Sequence, residues 1–428
     1  MTRTAEQIRH TDSGPRPVPP VGARQAPPAP TIVDTVLPNG LRVLLLRQPT
    51  VPVVQLRLQI PFADVDPRHP GQAHLLARAL FTGTQERNRF AVDADLALVG
   101  GSLSAAVNPV RLGIAGWALS SGFDVLLDVM ADGLTAAAYR DEEVQHERDL
   151  LLQHLAISRT QPDILAREAL QQHRYGDHSF AWDLPHPVDV GSVTPDELRH
   201  LHERAVVPRG AALVVVGDLD VEQALDQVGK ALAGWASPLA VGALQPLPDV
   251  VGGDVAVAHN PRSVQSHLCL SAQAVPRTDS RYPALYLANL AFGGYFSSRL
   301  NENMREDKGY SYAVRSELET TPDTSTVLLN VETATDTTAV ALREIRNELA
   351  RFVATPPTQL ELDRVRRYAI GSLLIATSSQ NGLANQTHRP DGTRSGHGLA
   401  HRVHRRPRHS HHGAARRGRQ RVLLPREV

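Results

Sequence analysis

The apolar residues of this chain run twice through the same order of periodicities, and that repetition constrains the fold more than any single motif. From Thr31, TIVDTVLPNGLRVLLLRQ reads as two strands around an Asn39-Gly40 turn, and VVQLRLQIPF alternates like a half-buried strand. GQAHLLARALFTGT then shifts to helical spacing, with Leu75, Leu76, Leu80 and Phe81 on one side and a stop at Gly83. A second helix, FAVDADLALVGG, precedes the strand-like SLSAAVNPVRLGIAGWAL. The segment FDVLLDVMADGL follows, then helices in the acid-rich DEEVQHERDLLLQHLAISR and around Leu165 and Leu198, and the apolar GAALVVVGDLD closes the unit as a strand.

After a stretch of Pro, Gly and small apolar residues the texture restarts. DVAVAHNPRSVQSHLCLSAQAVP gives strands, YPALYLANLAFGG a helix, and SSRLNENMREDKGYSYAVRSEL a helix running into a strand. TSTVLLNVETA and TTAVALREIRNELARFV repeat the strand and helix of the first half, and a further helix starts near Gln359 and runs through LLIATSSQNGLANQ. The expected class is α+β: two homologous domains, each an antiparallel sheet packed with helices, the second truncated. The boundaries read as a disordered Pro-rich lead over 1–30, an N-terminal domain over 31–236, a linker over 237–253, a C-terminal domain over 254–386 and a basic tail over 387–428.

Charge is where the tail stands apart. Lys plus Arg and Asp plus Glu are both 45, so the whole chain is formally neutral and suggests no nucleic-acid partner. Residues 387–428, however, hold 11 Arg and 7 His against only Asp391 and Glu427, with no helical or strand periodicity. One reading is a functional basic tail for nucleic acid or metal. The favoured one is a GC-rich gene read out of frame after Gln386, because Arg, Gly, Pro, His and Ala accumulate where the fold still needs a helix and a strand. Sequencing across codon 386 decides it: an intact upstream frame with no indel refutes the frameshift. The single cysteine, Cys269, excludes an internal disulfide and a cysteine-based zinc site and reads as a core thiol. No run approaches the apolar length of a signal peptide or a membrane span of about 18 residues, so the expectation is a cytoplasmic protein with no membrane partner.

The runs PNGLRVLLL, GQAHLLARALFTGT, ERDLLLQHL and VVVGDLD, in this order and spacing, resemble the first domain of the pitrilysin, insulinase and mitochondrial-processing-peptidase family. FGGYFSSRLNENMREDKGYSYAV is similar to the family's inactive-side domain, and the match covers about residues 31–386. The resemblance implies the metalloenzyme fold of the LuxS and processing-peptidase type. It also implies an inverted zinc motif, H-x-x-E-H, in which two His a helical turn apart bind the metal and the Glu polarises water, with a later Glu as third ligand. Here the aligned positions are His74, Ala77 and Arg78, and the distal position, seven residues after Glu147, is His154. Ala77 cannot accept a proton, and Arg78 is permanently charged and has no lone pair to give. No catalytic residue and no zinc are therefore expected in this chain. Weak metal bridging between His74 and His154 stands as an alternative to His74 as a helix residue with a satisfied hydrogen bond.

A second motif is kept. The family carries an Arg followed seven residues later by a Tyr that contact substrate, and the matching positions are Arg305 and Tyr312 in REDKGYSY, with Gly309 placed to end a helix and Tyr312 to start a strand. A guanidinium offers a fork of donors for peptide carbonyls, and a phenol donates to an oxygen gaining charge. Loss of the zinc positions with retention of this pair resembles the non-zinc subunit of bacterial two-chain members. What this implies is a zinc-bearing homologous partner, a peptide substrate and activity only in the pair. A non-catalytic scaffold and a truncated inactive product are the competing classes.

Overall fold

The computed structural model describes residues 31–239, 245–321 and 324–387. The expectations for the 1–30 lead and for the tail beyond Thr387 lie outside them.

The first half builds a six-stranded sheet in the order β1-β2-β6-β3-β5-β4. β1 (Ile32–Val36) and β2 (Arg42–Arg47) form the expected antiparallel hairpin. Its turn is fixed from outside, because Asn39 Nδ2 donates to the carbonyls of Leu232 and Trp235 at 3.1 and 2.9 Å. β3 (Val53–Pro61), β4 (Ser102–Asn108) and β5 (Arg111–Leu119) are antiparallel, and β4 is a free edge. β6 (Ala212–Gly217) lies between β2 and β3, antiparallel to β3 but parallel to β2. The first sheet is thus mixed rather than purely antiparallel. The helices between β5 and β6 bring the chain back to the end of the sheet from which β2 started, so β6 enters alongside β2.

Helices α1 (His69–Ala79), α2 (Arg89–Leu98), α3 (Phe123–Ala136), α4 (Asp141–Ser158) and α8 (Val221–Ala231) contribute to the core on one face of this sheet. Between them run α5 (Pro162–Tyr175), α6 (Pro187–Ser192) and α7 (Pro195–Ala205), whose N-terminus is closed by a reciprocal Thr194–Glu197 capping box. Val43 and Leu45 of β2 point into that core, whereas Leu44 and Leu46 join Val214 and Val216 on the other face. A strand apolar at consecutive positions needs cover on both sides.

The second cover comes from the far half of the chain. α13 (Gln380–Thr387) lays Ala384 on those four side chains, and Gln380 Nε2 donates to the carbonyls of Gln48 and Val51 at 2.6 and 2.9 Å. Arg57 of β3, only 9 % exposed, bonds Asn385 Oδ1 at 2.7 Å, Asn381 Oδ1 and the Leu56 carbonyl. It has no carboxylate partner among the described residues. Because hydrogen bonds to a charged group are worth about 1.5–3 kcal/mol each, Asn385→Ala is expected to cost about 2 kcal/mol in urea unfolding.

The second sheet has three antiparallel strands, β7 (Gln265–Ala274), β9 (Ser325–Ala334) and β8 (Val314–Thr320), in that spatial order. α9 (Tyr282–Asn289), α10 (Arg299–Asn301), α11 (Thr338–Ala354) and α12 (Gln359–Ala376) enclose a core of Leu285, Phe292, Leu300, Met304, Ile345 and Phe352. The helix expected to run on through LLIATSSQNGLANQ is interrupted at residues 377–379, and α13 turns away toward the first sheet. In return α5 packs on β7, with Arg174 Nη1 donating to Ser271 Oγ at 2.8 Å and Arg174 Nη2 paired with Glu319 at 3.0 Å.

Residues 254–260, expected to be a strand, are in none. In the first sheet the β1–β2 hairpin joins the other strands through β6, and the second sheet contains no strand corresponding to β6 among the described residues. Cys269 sits in the middle of β7, half-buried, with Sγ 3.1 Å from Asn330 Oδ1, and burial pushes its thiol up to about 11.

Candidate functional site

α1 presents Leu75, Leu76 and Ala79 to the core, all fully buried, which leaves His74 and Arg78 on the flank toward α4. Ala77 is itself buried among core side chains. Arg78 Nε lies 3.0 Å from Glu147 Oε2, and Arg89 Nη2 lies 2.9 Å from Glu147 Oε1. Arg89 also reaches Glu143 at 3.0 Å. Glu147 is only 4 % exposed, so its two oxygens are each held by a different guanidinium in a nearly closed setting.

His74 lies beside this cluster, half-buried, with no protein hydrogen-bond partner among the described residues. Its pKa is pushed down to about 4, first by burial and then by the neighbouring His69, Arg78 and His154 side chains. His154 is exposed on α4, with Nε2 3.4 Å from Ser158 Oγ. Burial likewise lowers His69 and His202, the latter ring held between the Tyr139 hydroxyl and the Leu134 carbonyl. These rings are neutral when folded, while the unfolded chain takes up its protons near pH 6.5. The stabilising contribution of His74 is therefore complete above about pH 6.5 and is lost as pH falls toward about 4, and His69 and His202 act in the same direction. A melting temperature lower at pH 5 than at pH 7 is expected, and His74→Gln should reduce that difference.

The donor set does not suit zinc. Arg78 is a cation committed to Glu147, Ala77 offers no base, and only His74 and His154 remain, two donors where a catalytic zinc takes three. No group of three or more metal-binding side chains occurs among the described residues. The guanidinium supplies the positive charge beside Glu147.

Arg305 and Tyr312 are brought together, though not as a strand start. Glu302–Asp307 is a wide π-helical turn, anchored by the fully buried Met304 and by Asn303 Nδ2, which donates to Glu344 and Glu348 at 2.9 and 2.8 Å. Gly309, at φ +62°, then reverses the chain, a conformation that favours glycine. Lys308 Nζ closes on Glu344 at 2.6 Å. β8 begins only at Val314, so Tyr312 lies on the approach to it rather than in it. The reason is that residues 311–313 are still completing the reversal, with Ser311 Oγ bonded to the Ala313 carbonyl at 2.8 Å.

The Arg305 guanidinium carbon sits 4.8 Å from the Tyr312 ring centroid and 4.5 Å from that of Phe296. Two aromatic faces thus hold it in one orientation. Phe296 was not legible as a site residue, since its only sequence signal was an aromatic in the FGGYFSSRL run. Tyr312 is 82 % exposed and Phe296 65 %, so this stack stands at the surface with its phenol open to solvent. Phe296→Ala is expected to free the guanidinium, seen as a faster loss of order at Arg305 Nε in NMR relaxation.

Two sheets of repeated topology, interlocked by exchanged helices, with an ion pair where a metal motif is expected, define a peptidase-type fold without its zinc site. Residues 42–187 match the Insulinase (Peptidase family M16) domain and residues 192–368 the Peptidase M16 inactive domain. The chain belongs to this family. It is 27 % identical over 296 residues to an uncharacterized zinc protease of Streptomyces coelicolor, a match covering 67 % of this chain and 64 % of that protein. With the uncharacterized zinc protease YmxG of Bacillus subtilis it shares 24 % over 347 residues, 80 % of this chain and 84 % of the relative. Among solved structures, a protease from Helicobacter pylori superposes with a TM-score of 0.83 at 17 % identity, covering 93 % of this chain and 98 % of that one. A peptidase M16 inactive domain from Pseudomonas fluorescens gives 0.76 at 21 %, covering 83 % and 86 %. No helix among the described residues is long and apolar enough to cross a membrane.

Proposed function

We propose that this chain is the zinc-less subunit of a two-chain metallopeptidase that cuts peptides. The observation that carries the reading is the Arg78–Glu147 pair at 3.0 Å, which occupies one metal-ligand position with a cation while the Arg305–Tyr312 stack stays exposed. A zinc-bearing homologue supplies the metal, the water and the base. This chain supplies part of the chamber wall, with Arg305 binding peptide carbonyls and Tyr312 donating to an oxygen as it gains charge. A guanidinium stacked on Phe296 and Tyr312 suits that work, because the two ring faces favour one orientation of its donors before substrate arrives.

Co-purification tests the pairing. An equimolar complex with one zinc-bearing homologue is the expected result. Capture of this chain in an assembly without such a homologue would instead mark it as a scaffold. The second sheet has three strands among the described residues, which favours a further reading, a truncated and inactive product. Aggregation of the chain as written, cured by restoring the frame after codon 386, would establish that reading.

A further inference from the structure

Arg305 and Tyr312 are held at their two ends by different elements. On the Tyr312 side, the Tyr310 carbonyl accepts from Thr333 Oγ1 of β9 at 2.8 Å, and the Glu332 amide donates to the Ala313 carbonyl at 3.2 Å. On the Arg305 side the anchor is α11. Glu344 Oε1 accepts from Asn303 Nδ2 at 2.9 Å, just before Arg305, and pairs with Lys308 Nζ at 2.6 Å, just after it. One carboxylate thus holds both shoulders of the π-helical turn Glu302–Asp307. Such turns are rare, and this one closes where the Lys308 amide donates to the Asn303 carbonyl at 3.1 Å, between the same two residues that Glu344 binds. Arg305 itself pairs only loosely, with the exposed Glu306 at 3.5 Å, so the position of its guanidinium follows the turn and the flanking rings.

We propose that Glu344 is a positioning residue for the substrate contact of Arg305, acting through Asn303 and Lys308 on the turn that carries the guanidinium. The inference rests on the peptide-binding reading of Arg305 and adds the residue that sets where its donors stand. Lys308, with Asn303 and Arg351, holds the Glu344 carboxyl down at about 2, so the brace is ionised at neutral pH. Glu348, buried one turn further along α11, accepts from the same Asn303 amide at 2.8 Å but does not reach Lys308 among the described contacts, so Glu344 is the carboxylate that spans the turn. Without it the 303–308 turn is released while the β9 contacts keep Tyr312 in place. Guanidinium and phenol then lose their common geometry, and a displacement of about 1 Å at a positioned group is enough to cost rate.

The full chain alone gives the first readout. With isotope-labelled arginine, the Arg305 Nε proton, assigned by its absence from Arg305→Lys, is shifted by the ring currents of Phe296 and Tyr312. Glu344→Ala and the milder Lys308→Met are expected to abolish that shift, and Arg346→Ala, exposed on the same helix, to retain it. In the pair with a zinc-bearing homologue, Glu344→Ala is expected to lower kcat/KM by about tenfold or more, but by less than about twofold in the Arg305→Ala background. A general loss of structure would lower both backgrounds alike. A ring-current shift kept in both variants overturns the proposal, and so does an equal loss of activity in the two backgrounds. Absence of activity in every mixture refutes the peptidase reading instead, and the spectrum of the chain alone still decides whether Glu344 places Arg305.

Discussion

Glu147→Gln is expected to lower the unfolding free energy by about 2–4 kcal/mol, read as a shift of the urea midpoint, while Glu142→Gln on the exposed face of the same helix changes it by less than about 0.5 kcal/mol. Glu147 is nearly inaccessible and bonds Arg78 and Arg89 at 3.0 and 2.9 Å. Removing its charge leaves two guanidinium groups facing each other around a neutral amide. Breaking a fully buried pair costs about 3–5 kcal/mol, and the range is reduced here because both arginines keep some contact with water. A chelator should leave the stability of the unsubstituted chain unchanged, since the charge that balances Glu147 is covalently part of the protein. An effect of Glu147→Gln no larger than that of Glu142→Gln would mean the cluster does not replace a metal as the organiser of this flank.

In the reconstituted pair, Arg305→Ala is expected to reduce kcat/KM by about 10- to 10²-fold, the loss of about 1.5–3 kcal/mol that follows removal of a charged hydrogen-bond donor to peptide carbonyls. Arg305→Lys should recover little of it. An ammonium is a point charge without the planar fork, and it cannot be held between the rings of Phe296 and Tyr312 as the guanidinium is at 4.5 and 4.8 Å. Tyr312→Phe keeps the ring and so keeps Arg305 in place. Its effect isolates the phenol, and a fall in kcat with KM unchanged is the expected signature of a contact made in the transition state. Steady-state kinetics on a mixed peptide substrate measures all three variants.

Much of this was legible in the residues. The Asn39-Gly40 turn, the alternating β3 and the helical spacing of Leu75, Leu76 and Leu80 express local periodicity or turn chemistry and stand where expected, whereas the Arg305 and Tyr312 pair came from the family resemblance and Tyr312 lies before β8 rather than at its start. What was not legible depends on partners distant in the chain. The parallel β2–β6 pair and the cover of Leu44 and Leu46 by α13 join residues far apart in sequence. DVAVAH has the alternation of a strand but pairs with no strand among the described residues, and alternation alone does not supply a partner. At the metal positions the substitutions themselves were plain. That Arg78 would close on Glu147, and that Phe296 would form the other side of the Arg305 stack, required the packing of α1 on α4 and the reversal at Gly309.

The central claim is that this chain contributes to peptide cleavage without holding the metal, and peptidase activity of the purified chain, alone and mixed with a zinc-bearing homologue, tests it most directly. Activity in the mixture only, abolished by chelator and reduced by Arg305→Ala, is the predicted result. Zinc-dependent activity of this chain by itself, or a mixture no more active than the homologue alone, would contradict it.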